Sequence, residues 1–335
     1  MSIQTNDLSM QTARAPSRRI RAVMRNHMSL LFAAAMLLVI LMVYASLGRG
    51  VLTIEELNID SAAALTLVLA ATAQTIVMMR GGIDLSIGGI ISLGTSVFAT
   101  QVGDSAISVM VWSAIVLAGG ALIGALNGWI MTTFRLQPFL VTLAMWSILS
   151  GVAMMVLPTD GGKVPGWWIS FANEKLYGIV MPVWLIAALL LFWVWFAATR
   201  TGTTIKAVGS SAKAAYLSGV SEMSVNMVCY GLSGLFAAMA ALYLTTQIGA
   251  GSPNIGSDYI LASVAASVIG GVSLFGGRGH LLGTVIGAFI LTIIGNLIFV
   301  LRISSYWQPV ASGAILLCAV LVTSIIEKKT RASSS

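Results

Sequence analysis

The chain has 335 residues, 58% hydrophobic and only 9% charged, with a mean hydropathy of +0.94 and a formal net charge of +7. A water-exposed globular surface needs far more charge, so the composition excludes a soluble protein and indicates an integral membrane one. The basic residues are spread over tails and short connections, a distribution that fits membrane topology and not a nucleic-acid surface.

Residues 1–29 form a basic tail with Arg14, Arg18, Arg19, Arg21 and Arg25. The apolar run that follows, 30 to 48, superficially resembles a signal peptide. It is too long for one, and Gly48-Arg-Gly is a poor small-residue cleavage site, so a retained spanning helix is predicted. Further spans are predicted at 61–79, 87–102, 107–131, 138–157, 177–198, 225–247, 258–275, 281–301 and 308–326. The fold class is therefore all-α: a polytopic membrane bundle of about ten helices. The bundle occupies 30–326, and a second short tail follows at 327–335. No polar stretch between the spans is long enough for a separate soluble domain.

With the N-terminus cytoplasmic, fourteen of the 18 Lys and Arg residues fall on inside segments and four (Arg49, Lys163, Lys175, Arg302) outside. The opposite orientation inverts that split, so the prediction is N-in and C-in. Trp167, Trp168, Trp184, Tyr306 and Trp307 lie near the proposed outer ends, where membrane anchoring and sugar stacking are both open to them. Glycines at helix-compatible spacing (Gly94, Gly119, Gly120, Gly124, Gly128, Gly231, Gly234, Gly283, Gly287) fit closely packed helices.

The second and third spans are separated by RGGIDLSIGG, residues 80 to 89. Backbone without helical hydrogen bonds is tolerated at membrane depth only where protein or a water-filled cavity satisfies it, so this break marks a candidate solute route. Asp84 has two open roles there, hydrogen-bonding a polar solute or capping the next helix. The segment 87–102 is short and Gly-rich, and a re-entrant path is the alternative to a full crossing. A second Gly-interrupted run, GGVSLFGG, occupies 270–277. Asp258 is placed at the outer end of the eighth span, where it can cap that helix.

The longest inside connection between spans, 199–224, carries KAVGSSAKAAYLSGV from Lys206 to Val220. It reads as a short surface helix with Ala212, Ala215, Tyr216 and Val220 on one apolar face and Gly219 ending it. A helix this short is marginal alone, so it reads either as a docking element for a partner or as a loop lying on the membrane.

The chain has no G-x-x-x-x-G-K-S/T phosphate loop and no H-E-x-x-H motif, so it is not expected to hydrolyse ATP itself. Cys229 and Cys318 both sit in apolar runs and read as packing residues, with no metal spacing. His27 and His280 are far apart, and His280 reads as a solvated turn residue. An intramembrane enzyme lacks any paired acid, base or nucleophile, and a secondary transporter or channel driven by an ion gradient remains the alternative class.

Five stretches together resemble the membrane subunits of ribose-type ABC sugar importers: GGIDLSIGG (81–89), NGWIMTTFRLQPFLVTLAM (127–145), AVGSSAKAAYLSGV (207–220), LSGLFAAMAAL (232–242) and SVIGGVSLFGGRG (267–279). The resemblance covers nearly the whole chain. It implies a bacterial inner-membrane permease that pairs with a second permease subunit, identical or paralogous, and with two cytoplasmic ATP-binding subunits. It also implies a periplasmic sugar-binding protein that delivers the solute. ATP and Mg would sit on the partner ATPase, with no cofactor on this chain. Asp84, Ser86, Asn127, Pro138 and Thr142 match motif positions and are expected as pathway or gate residues. Gly209, Ala214, Ala215 and Gly219 are expected to transmit ATP-driven closure. The chain departs from the family pattern at Gly209-Ser210-Ser211, at Tyr216, and at Ile260 and Ala262, where acidic residues are frequent.

Overall fold

The computed structural model describes residues 15–46, 53–304, 306–311, 313–315 and 317, with side chains from residue 30 onward. Among these, α1 (Ala15–Ser46), α2 (Ile54–Arg80), α3 (Ser86–Gln101), α4 (Ala106–Thr133) and α5 (Pro138–Val156) lead to a short α6 (Gly166–Ala172). A two-stranded hairpin follows, β1 (Lys175–Leu176) and β2 (Ile179–Val180). Then come α7 (Met181–Ala198), α8 (Arg200–Ser210), α9 (Ala212–Leu217), α10 (Glu222–Ile248), α11 (Gly256–Ile269) and α12 (Leu281–Val300).

The helix ends follow from local chemistry. Thr53 caps α2 by accepting from the Glu56 N–H at 3.1 Å, and Ser105 and Ser221 do the same for α4 and α10. Gly81 and Gly249 close α2 and α10 in the left-handed conformation, with φ of 95° and 75°. Proline opens α5 and α7, where its missing N–H costs nothing.

Among the described residues, six helices are long and apolar enough to cross a membrane: α2, α4, α5, α7, α10 and α12. Two shorter apolar helices are Leu30–Ser46, within α1, and α11. Each predicted span from 30 to 301 is met by a helix, while most of 308–326 lies outside the described residues. Two predicted boundaries are corrected. Residues 175–180 form the hairpin, so α7 starts only at Met181. The apolar run 258–275 is helical only to Ile269, because Gly271 turns the chain at a φ of 83°.

The connections gather at two opposite ends of the bundle. At one, the Gly277 N–H donates to the Met79 carbonyl at 2.8 Å and Arg80 pairs with Glu222 at 2.7 Å. At the other, Gly161 and Gly251 exchange backbone hydrogen bonds of 3.0 and 2.7 Å, and the Lys163 N–H donates to the Ala99 carbonyl at 2.9 Å. Asn58 grips the hairpin at the same end, donating to the Gly178 carbonyl and accepting from the Val180 N–H. Because Gly81 packs beside Gly276 at the first end and Ala99 meets Lys163 at the second, the non-helical stretch 81–85 and α3 together run from end to end of the bundle, and the chain does not double back there.

The core is built on α2, of whose most apolar stretch 83% is buried, and on α10. Against α10 lies α4, through Gly120, Gly124 and Gly128 facing Gly234, Tyr230 and Asn226. A Cβ at Gly120 would stand 2.5 Å from the Gly234 carbonyl oxygen, so the two backbones touch without intervening side chains. The predicted glycine packing is thus met at most positions. Gly119 is an exception, with open space where its side chain would be.

Two of the predicted anchor aromatics, Trp167 and Trp168, make contacts at the end that carries the hairpin. Trp167 donates to the Asp104 carbonyl at 2.8 Å, and Trp168 donates to the Thr246 hydroxyl at 3.0 Å while stacking on Phe171. Cys229 is buried in α10, as a packing residue should be, and Cys318 lies outside the described residues. His280 keeps its predicted exposed place in the turn before α12 and also caps that helix, its Nδ1 accepting from the Leu282 N–H at 3.2 Å. The side chain of His27 lies outside the described residues.

Candidate functional site: a clamped helix break and an exposed apolar loop tip

The break between α2 and α3 is held by a buried polar network. Asp84 Oδ1 accepts from the Ser86 N–H at 2.9 Å and from the Ser86 hydroxyl at 2.5 Å, and Asp84 Oδ2 accepts from the Ser233 hydroxyl of α10 at 2.7 Å. The Asn127 amide of α4 donates to Ser86 Oγ at 2.9 Å. A hydroxyl that accepts from Asn127 keeps its own proton for Asp84, so the bonds run in one sense from α4 through α3's first residue to the carboxylate. Thr142 of α5 donates to the Ile83 carbonyl at 3.3 Å, satisfying one acceptor of the non-helical stretch.

All of Asp84, Ser86, Asn127, Thr142 and Ser233 have zero solvent exposure. The structure therefore unites three predicted residues, Asp84, Ser86 and Asn127, in one network and sets Thr142 against the same break. Pro138 is the first residue of α5 and supports the network only through the Thr142 hydroxyl, which also reaches its carbonyl at 3.0 Å. Asp84 lies one residue before the N-cap Leu85, which makes no side-chain cap bond, and its carboxylate joins the first residue of α3 to Ser233 of α10. Ser233 was not singled out by sequence. It lies inside the quoted stretch LSGLFAAMAAL, where a lone Ser beside Gly is its only mark.

Further buried polar atoms lie on the helices that form the network's surroundings, α2, α4 and α10. Asn127 Oδ1, the Tyr230 hydroxyl and both amide atoms of Gln74 have no hydrogen-bond partner among the described residues. A Cβ at Gly82 would collide with the Tyr230 hydroxyl, so a larger residue there requires the buried tyrosine to shift.

The connection 199–224 is two helices. Ser211, with extended backbone, ends α8 and caps α9 by accepting from the Ala214 N–H. The predicted stop is present: Gly219 has a φ of 81°, its N–H bonds to the Tyr216 carbonyl, and the Val220 N–H bonds to the Ala215 carbonyl. The predicted single apolar face is corrected. Ala215 is buried against the bundle and Val220 half-buried, whereas Tyr216 and Leu217 are 74% and 76% exposed. Ala214 and Gly219 are exposed as well. Gly209 packs on the Met79 carbonyl and Gly277, locking α8 to the end of α2. On α8, burial lowers the Lys206 ammonium below its ordinary range.

Crossing helices joined at two ends, an internal helix break sealed by hydroxyls and an amide, and a short helix offering unpartnered apolar side chains at one end define a multi-pass membrane permease. The chain belongs to the family described as branched-chain amino acid transport system permease component, whose pattern matches residues 57–320. Among its relatives is the ribose import permease protein RbsC of Escherichia coli, 34% identical over 296 residues that cover 85% of this chain and 91% of that protein. The RbsC protein of Bacillus subtilis is 33% identical, covering 76% of this chain and 80% of its own. The D-allose transport system permease protein AlsC of Escherichia coli is 33% identical, covering 78% and 81%. No solved structure matches.

Proposed function

We propose that this chain is the permease subunit of an ATP-binding cassette importer that carries a sugar or sugar-like polyhydroxyl solute across a bacterial inner membrane. The observation that carries the reading is the match, over most of both chains, to permeases named for ribose and allose import. Those relatives favour a polyhydroxyl solute over the branched-chain amino acids in the family's description.

In this reading the helices number about ten, with both tails (1–29 and 327–335) in the cytoplasm. The distribution of positive charge supports that orientation, because Arg80, Lys206 and Arg278 share the end that carries α9. Two cytoplasmic ATP-binding subunits, holding ATP and Mg, drive the cycle. A second permease subunit completes the conduit, and a periplasmic binding protein loads it. A transporter of this kind needs differential contact in its two states, and Tyr216 and Leu217 are suited to supply it to an ATPase groove. Gly209, Ala214, Ala215 and Gly219 set the pose of that tip. Asp84, Ser86, Asn127, Pro138 and Thr142 act as the gate's fixed hinge, holding the break without touching the solute in the closed state.

Uptake of radiolabelled D-ribose and D-allose into proteoliposomes containing the permease, its co-purified ATPase and the binding protein tests the proposal. ATP-independent uptake by the permease alone would defeat it. The Tyr216→Asp variant is expected to lose ATPase co-purification and at least tenfold of ATP-driven uptake while its own unfolding temperature stays unchanged, since the side chain is outside the core. Retention of both partner binding and uptake would remove the coupling role.

A further inference from the structure

The helix α11 does not start at an end of the bundle. The Gly256 N–H donates to the Ser92 hydroxyl at 3.1 Å, and Gly256 packs against the backbone of Gly88. Upstream, the Thr95 hydroxyl donates to the Ser252 carbonyl at 2.9 Å, and Gly251 lies beside Thr95 and Ala99. Residues 251–256 therefore descend alongside α3, from the level of Thr95–Ala99 to that of Gly88–Ser92. At the rise of an α-helix, Ser92 lies about 14 Å and Gly88 about 20 Å inward of Gln101. That depth is near the middle of a hydrocarbon layer about 30 Å thick. The 14 residues of α11, about 21 Å long, cover the remaining distance. The expected position of Asp258, at the outer end of its span, is thus corrected to mid-depth.

At this level the outer surface of the chain is polar. Asn254, Ser257 and Asp258 are all exposed, and Leu261 is 61% exposed one turn further on. The Ser257 hydroxyl donates to the Asn254 carbonyl at 2.8 Å, whereas the Asp258 carboxyl has no hydrogen bond or ion pair among the described residues. The capping role is therefore not the one it plays. By contrast, the exposed face of α7 is Leu191, Val194 and Trp195, as lipid contact requires. An aspartate facing lipid at mid-membrane is costly, and non-helical backbone there must line water or be covered by protein. Both constraints are met together if this face borders a water-filled route.

We infer that Asn254, Ser257 and Asp258 line the solute path at mid-membrane, with the Asp258 carboxylate accepting hydrogen bonds from solute hydroxyls and setting which polyhydroxyl compound passes. The placement is read from depth and exposure, and only the identity of the solute rests on the importer reading. A carboxylate offers two acceptor oxygens, which suits a vicinal diol.

The test uses the assembled complex, in a Cys229→Ala, Cys318→Ala background, with an anionic membrane-impermeant methanethiosulfonate reagent applied to opened membrane vesicles so that both faces are reached. The Asp258→Cys and Ser257→Cys proteins are expected to react at least tenfold faster than the Leu191→Cys protein. Rates no faster than that lipid-facing control overturn the placement, whatever the solute. In the second arm, Asp258→Ala is expected to raise the KM for D-ribose or D-allose uptake about tenfold, with Asp258→Asn intermediate and ATPase co-purification unchanged. An unchanged KM overturns the specificity role. Absence of ATP-driven uptake of either sugar by the unmodified complex, with fast labelling of Asp258→Cys, removes the sugar-importer reading and leaves the polar path standing.

Discussion

Asp84→Leu is expected to abolish uptake and to lower the unfolding temperature of the detergent-solubilised protein by several degrees. The substitution keeps the branched shape, with bulkier methyls in place of the oxygens, but strands three donors, the Ser86 N–H, the Ser86 hydroxyl and the Ser233 hydroxyl, at buried positions. Each buried unsatisfied donor costs about 1–3 kcal/mol. Three together, about 3 kcal/mol or more, are a large share of the roughly 5–15 kcal/mol by which a fold is stable. Asp84→Asn retains one acceptor oxygen and turns its NH2 towards one of the former donors, so an intermediate loss is expected. Thermal unfolding separates the two roles of this carboxyl. A residue that only touches solute would lose transport at unchanged stability, and that outcome would count against the clamp.

Gly120→Leu is expected to prevent accumulation of folded protein in the membrane, whereas Gly119→Leu is expected to be tolerated. The two positions are adjacent on α4 but face different surroundings. At Gly120 a side chain meets the carbonyl of Gly234 and the methyl of Ala238, and backbone cannot rotate out of the way as a side chain can. Overpacking a core costs about 1–3 kcal/mol when side chains can adjust, and more when the obstacle is main chain. At Gly119 nothing lies within 4 Å, and the added leucine joins the exposed apolar face beside Leu122. Size-exclusion profiles of the two solubilised variants make the comparison. Equal behaviour would show that α4 and α10 separate without loss of the fold.

Much of the architecture is written in the apolar runs, because a hydrocarbon solvent rewards length and hydrophobicity over fine detail. The helix break is legible too. Gly81-Gly82 beside Asp84 and Ser86 announces it, and Asn127, singled out only as a motif position, bonds to Ser86 in the structure. The partners that are not legible are those chosen by tertiary register. Ser233 donates to Asp84 where α4 and α10 pack backbone to backbone, an arrangement that needs Gly120, Gly124 and Gly128, remote in the chain, as well as the neighbouring Gly234. The depth of Asp258 is hidden for the same reason. Gly-Ala-Gly-Ser-Pro-Asn reads as an ordinary surface turn, and only its bonds to Thr95 and Ser92 carry it inward. On α9, six residues are too few to define a face by periodicity, so the docking of α8 on α2 decided that Ala215 turns in and Tyr216 out.

The paired glycines at 161 and 251 have a mechanical corollary. The first follows α5 by a few residues and the second begins the descent towards α11, so their two backbone hydrogen bonds splice the stretches into one girder. If α5 tilts during the cycle, the inbound stretch is towed with it, and the mouth of the conduit widens or narrows in step with its waist.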